Sequence, residues 1–346
     1  MTRSTIASGR TTRAPVDDPV SEQEAQMELP EVPTLYPAPP PDSVRESPLA
    51  RLGSLRPPEV RRDTSGLGWV IGAPYAVELG FRPMCLDVHL PAPGGRPAPV
   101  VLFLHGGAFM VGDRRELSPP LERLDIFRRL PLEGFAIATA DYRLSAEVRF
   151  PGQLHDLKAA VRWLRAWAPE LGIDGDRVAV WGESAGGHLA AMLGTTSAHP
   201  ATDGTLGVVG PSARVQAVID WYGPTDFAAM DRQAPVDSGM THDDPGSPES
   251  LLVGTPVQER PDLVAAADPA CWATADCPPF LIQHGTRDRL VPFGQSVHLH
   301  ERLVSLRVPS RLIPIQGADH GFEGHHDDEA LLAPVLDHLR DALAVR

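Results

Sequence analysis

Three short segments carry residue types at spacings suited to acyl transfer. Gly182-Glu183-Ser184-Ala185-Gly186-Gly187 follows the apolar run Val178–Trp181 and precedes Leu189 to Leu193, which suits a helix. A G-x-S-x-G pentapeptide between a strand and a helix marks a sharp turn that lifts a serine hydroxyl above a sheet. The turn is too tight for side chains beside the serine, hence the glycines. It also places the hydroxyl at the positive end of a helix.

A serine hydroxyl is a weak nucleophile at neutral pH and needs a neighbouring base. Gly317-Ala318-Asp319-His320-Gly321-Phe322 follows the strand candidate Arg311–Ile315, and His284-Gly285-Thr286-Arg287-Asp288 follows Phe280–Gln283. Both put a polar group just past the C-terminal end of a strand, where catalytic groups of open α/β sheets collect. The chain order Ser184, Asp288, His320 is the one this architecture uses, with His320 as base and Asp288 fixing its tautomer. Asp319, adjacent to His320, and Asp226, after the strand candidate Val215–Trp221, are rival acids. Neighbours on a loop rarely face each other, so Asp288 is preferred.

Acyl transfer also needs donors for a developing oxyanion. His105-Gly106-Gly107-Ala108-Phe109 follows the apolar run Val100–Leu104. Its small residues allow backbone N–H groups to approach a substrate oxygen, so the expected donors are Gly107, Ala108 and Ala185. Other polar clusters have plainer roles. His325-His326-Asp327-Asp328-Glu329 reads as the acidic opening of a helix rather than a metal site. Glu183 is expected as a buried carboxylate beside the turn, and His188 packs near it without an assigned role.

These segments must be held by elements, and the elements are legible as alternation. Met84–Leu90, Val100–Leu104, Phe135–Ala140, Val178–Trp181, Val215–Trp221, Phe280–Gln283 and Arg311–Ile315 are short apolar runs, several without polar alternation. Such runs fit parallel strands buried on both faces. Leu157, Ala160, Val161 and Leu164 line one helical face, as do Leu332, Val335, Leu336, Leu339 and Leu343, with Pro334 expected in the first turn of that helix or at a kink. The fold class is therefore α/β: a mostly parallel, doubly wound sheet with helices on both faces. Gly223 to Pro278 breaks the rhythm and should hold short helices bordering a site.

Composition bounds the partners. The 346 residues carry a formal charge of −14, which argues against a nucleic-acid footprint. No apolar run approaches the roughly 18 residues of a membrane span. Eleven of the 37 prolines lie in the first 60 residues. Residues 1–65 read as a flexible Pro-rich extension, part of it a small cap through Leu49, Leu52 and Leu55, and residues 66–346 as the catalytic domain. Met1 to Pro15 lacks an apolar core of a secretory signal, and Cys85, Cys271 and Cys277 show no metal spacing. A reduced, cytoplasmic setting without a Cys271–Cys277 bridge is expected. The oligomeric state is left open, a homodimer included.

Taken together, the chain resembles the α/β-hydrolase superfamily. Within it, the chain is most similar to the bacterial feruloyl-esterase-like (BD-FAE) group, close to the hormone-sensitive-lipase-type serine esterases. The resemblance runs from about residue 70 to the C-terminus. It rests on His105-Gly106-Gly107-Ala108-Phe109, Asp141-Tyr142-Arg143-Leu144, Phe150-Pro151, His155-Asp156, the Gly182–His188 turn and Ser247–Gly254. Pro278–Asp288, Val291-Pro292 and Gln295-Ser296 also match. It implies Ser184, Asp288 and His320 as a triad in a serine carboxylesterase acting on a small-molecule ester through an acyl-enzyme, with no metal or organic cofactor. Ala108 departs from the third glycine of many relatives and adds a methyl to the pocket. An amidase or peptidase, an acyl-transferring tailoring enzyme, or a catalytically silent ligand-binding hydrolase fold remain as alternatives.

Overall fold

The computed structural model describes residues 55–78 and 80–344. Nine strands form one sheet: β1 (Arg61–Arg62), β2 (Gly68–Ala76), β3 (Met84–Leu90), β4 (Ala98–Leu104), β5 (Ala136–Ala140), β6 (Ile173–Glu183), β7 (Ala217–Trp221), β8 (Phe280–Gly285) and β9 (Ser310–Ile315). Their order is β1-β2-β3-β5-β4-β6-β7-β8-β9. The pairs from β1 to β3, and β3 with β5, are antiparallel. From β5 to β9 the sheet is parallel. This is the α/β-hydrolase architecture.

The parallel strands read as unbroken apolar runs because helices cover both faces. On β4, Val100, Leu102 and Leu104 point to one side, into a core with Leu157, Val161 and Leu189 from the helices Gly152–Ala166 and Ala185–Thr195. Val101 and Phe103 point to the other, where they join Trp181, Trp221 and Leu332. Phe103, Trp181 and Trp221 stack edge to face there, with centroids 5.7 and 4.9 Å apart.

Two elements differ from the expectation. β1 lies in sequence read as extension, and β2 is absent from the strand candidates. Gly72 and Pro74 interrupt β2, and its register against β3 shifts at Val70/Ala73 and again at Pro74/Ala76. Glycine and proline inside a strand are tolerated at bulges, which is why the run does not look like a strand. Arg61 pairs with Trp69 and Arg62 with Gly68, so the sheet begins ahead of a 65/66 boundary. Leu49 and Leu52 lie outside the described residues, as does nearly all of the Pro-rich extension; Leu55 is buried. Pro334 sits in the second turn of the helix Asp328–Ala342, not its first. The Gly223–Pro278 stretch does hold short helices, at Met230–Gln233, Pro248–Val253, Pro261–Ala266 and Pro269–Trp272. Among the described residues no helix is long and apolar enough to cross a membrane.

Candidate active site

β6 ends at Glu183 and a helix begins at Ala185, leaving Ser184 between them at φ 54°, ψ −119°. That conformation costs a non-glycine residue on the order of 1–3 kcal/mol and persists only where the surroundings enforce it. Here the enforcement is contact. A Cβ on Gly182 would lie 2.0 Å from the Gly186 carbonyl oxygen, and one on Gly186 would lie 2.1 Å from that of Leu104. The helix start is thereby pressed against the end of β4. The Ser184 N–H donates to the Trp221 carbonyl at 2.8 Å, anchoring the turn to β7.

His320 stands over this turn from the loop after β9. Its Nε2 lies 3.0 Å from Ser184 Oγ, and its Nδ1 lies 2.8 Å from Asp288 Oδ2. The only consistent proton assignment has Nδ1–H donating to the carboxylate and the serine hydroxyl donating to Nε2. Asp288, on the loop after β8, is 2% exposed. Its Oδ1 accepts the N–H groups of Leu290 and Val291 at 2.9 and 2.8 Å. A second imidazole, His284, approaches Oδ2 through Nε2 at 3.2 Å. Burial pushes the Asp288 carboxyl up, but hydrogen bonds from His284 and His320 outweigh it and hold the group well below the usual carboxylate range.

The rival acids are elsewhere. Asp319 pairs with Arg289 and accepts the backbone N–H of His320 at 2.8 Å, so it shapes the loop rather than facing the imidazole. Asp226 opens the turn Phe227–Ala229.

The loop after β4 runs through three consecutive residues at positive φ: Gly107 at 101°, Ala108 at 53° and Phe109 at 60°. It curls so that Met110 and Val111 both donate to the Gly107 carbonyl. A Cβ on Gly107 would meet the Val111 carbonyl oxygen at 2.2 Å. His105 stacks on Tyr142 at 4.3 Å, and the Tyr142 hydroxyl donates to the His105 carbonyl, which pins the loop's root. Among the described residues the N–H groups of Gly107 and Ala108 donate to nothing. Ala185, the first residue of its helix, carries one of the N–H groups a helix leaves without an internal acceptor.

Glu183 is buried as expected and accepts from the Ser118 N–H at 3.1 Å and the Tyr222 hydroxyl at 3.0 Å. Tyr222 was not anticipated. It follows β7 at φ 46°, and its ring packs edge to face on His320 with centroids 4.9 Å apart. Its signal was positional, since it too sits at the C-terminal edge of a strand. His188 is fully buried against Phe109 and donates through Nδ1 to the Pro224 carbonyl. Asp327 caps the C-terminal helix by accepting from the Ala330 N–H, while Asp328 pairs with Arg123. The three cysteines are free.

A nucleophile, a base and an acid thus converge with free backbone donors at one sheet edge. The BD-FAE family profile matches residues 86–303. The chain belongs to the BD-FAE family. Among curated relatives, Esterase LipC of Mycobacterium tuberculosis is 33% identical over 229 residues, which is 66% of this chain and 54% of that protein. Probable carboxylic ester hydrolase LipM of the same organism is 32% identical over 58% of this chain and 43% of its own. The chain therefore spans about half the length of these relatives. A truncated carbohydrate esterase from gut microbiota superposes with a TM-score of 0.71 at 26% identity, covering 82% of this chain and 99% of that one. A thermophilic esterase of Thermogutta terrifontis superposes at 0.58 with 25% identity, covering 84% and 94%. His320 lies beyond the profile's span, so its place beside Ser184 rests on geometry alone.

Proposed function

We propose that this BD-FAE chain is a serine carboxylesterase acting on a small-molecule ester. One observation carries the reading: a single imidazole bridges Ser184 Oγ and Asp288 Oδ2 at 3.0 and 2.8 Å. His320 takes the hydroxyl proton as Ser184 attacks the ester carbonyl. The tetrahedral oxyanion rests on the N–H groups of Gly107, Ala108 and Ala185, and Asp288 stabilises the imidazolium. His320 then returns the proton to the leaving alkoxide, and water, activated by the same imidazole, cleaves the acyl-enzyme. Because His320 delivers that proton, the alcohol leaves on its side. Two open pockets flank His320, one of about 350 Å³ lined by Asp237, Met240, Arg289 and Glu323 among others, and one of about 470 Å³ lined by Pro119, Pro120, Arg123 and Gly324 among others. The names of the relatives, esterases and an ester hydrolase, support the same chemistry. A cytoplasmic setting belongs to this reading, supported by the free cysteines.

Ser184→Ala should abolish hydrolysis of a short p-nitrophenyl ester, with kcat reduced about a million-fold, as in comparable triads. It should also abolish labelling by a fluorophosphonate probe. Full labelling of that variant, or preference of the wild type for an aminoacyl anilide over the ester, would overturn the assignment.

A further inference from the structure

Asp288 accepts three hydrogen bonds and has a second imidazole beside it, and the mechanism so far uses one of those bonds. The other two come from backbone N–H groups on Oδ1. The second imidazole is that of His284, which lies in β8 with no exposed surface. Its Nε2 faces the Val291 carbonyl at 2.9 Å and Asp288 Oδ2 at 3.2 Å. Both are acceptors, so Nε2 carries the proton. Its Nδ1 lies 2.6 Å from the buried Ser296 hydroxyl, which completes the pair by donating to that nitrogen. The tautomer of His284 is therefore set from both ends, and its N–H, bonded to the Val291 carbonyl, lies beside the oxygen that also receives His320.

We infer that His284 is a positioning residue for the acid–base pair: it shares Asp288 Oδ2 with His320 and tempers the carboxylate's pull on that imidazole. This inference rests on the serine-hydrolase reading. The physical argument is electrostatic. An N–H dipole beside the carboxylate offsets part of its charge and opposes a positive charge on His320. Less charge on Oδ2 means less stabilisation of the imidazolium that forms when His320 takes the serine proton. Other groups around the pair are accounted for. His284 also faces the Asp220 carboxyl from β7 and the Tyr222 ring. His320 faces Tyr222, with Glu183 behind it.

The test replaces His284 by Phe, which fills the space without a donor, and by Gln, whose amide can still donate. In H284F the acid limb of kcat/KM should move to higher pH, with kcat down roughly tenfold and KM little changed; H284Q should return the limb toward the wild-type position. The same shift should appear in the NMR titration of His320 measured in S184A backgrounds, which needs no turnover. An ester-inactive wild type would defeat the esterase reading, while the His320 titration would still report on His284. The inference is overturned if the His320 midpoint in H284F/S184A matches that of S184A with both proteins folded. It is also overturned if H284F and H284Q shift alike.

Discussion

Asp288 and Asp220 are both buried carboxylates, and they move in opposite directions because hydrogen bonds and neighbouring imidazoles outweigh burial at one and not at the other. Asp288 accepts three hydrogen bonds with a second imidazole N–H beside it, and stays ionised. Asp220 in β7 accepts one, from the Gly223 N–H at 2.9 Å, while its Oδ2 has no partner. Burial therefore pushes its carboxyl up to about 6. The linkage sign follows. The unfolded chain gives up this proton near the ordinary aspartate value of 3.8, so between there and about 6 it binds fewer protons than the native state, and stability falls as pH rises through that window. Asp220→Asn, nearly isosteric and never charged, should raise stability by on the order of 1–3 kcal/mol at pH 7.5 and leave it unchanged near pH 4. Urea denaturation at the two pH values checks this; equal effects at both would show that charge is not the cause.

Among the elements, the strand-to-helix turn and the loop after β4 act as one unit, because Gly186 abuts the Leu104 and His105 carbonyls. Gly107 is the position where this unit is most sensitive. At φ 101° and with the Val111 carbonyl oxygen 2.2 Å from any Cβ, it admits no side chain without moving the loop. Gly107→Ala should leave the far-UV CD spectrum unchanged and lower kcat about 100- to 1,000-fold, the usual loss for one oxyanion donor. Steady-state kinetics on a soluble ester would show it, and an unaltered kcat would remove Gly107 from the site. The elements read well from sequence where strands were long, apolar and parallel. β2 escaped because its Gly72 and Pro74 are accommodated by register shifts that only a paired neighbour reveals.

At the scale of the whole molecule, the described residues ahead of β1 are tied to the helical layer by a buried hydrogen bond as well as by apolar packing of Leu55. The Trp163 indole N–H, from the helix Gly152–Ala166, donates to the Leu55 carbonyl at 2.6 Å. Both residues are buried, so losing the donor leaves a carbonyl without a partner. Trp163→Phe should cost about 1–3 kcal/mol and open the chain near Leu55 to limited proteolysis, while ester turnover in the folded protein is preserved. Protection equal to the wild type would mean that the apolar contacts alone hold this segment. By contrast, the surface pairs Arg123–Asp328 and Arg129–Glu329, which link the helices on the other face, are exposed and contribute little.

The sequence by itself determined the class of sheet, the turn at Ser184, the loop at His105–Phe109 and the candidacy of His320 and Asp288. These are set locally, by apolar runs, glycine placement and chain order. It could not choose among Asp288, Asp319 and Asp226 by contact, nor reveal that Tyr222 and His284 face the same imidazole–carboxylate pair. Asp319 sits next to His320 in the chain, yet its side chain turns to Arg289, while Asp288 arrives from another strand. Which oxygen meets which nitrogen depends on side-chain directions at the ends of β7, β8 and β9, and those directions exist only once the strands are paired and their loops closed.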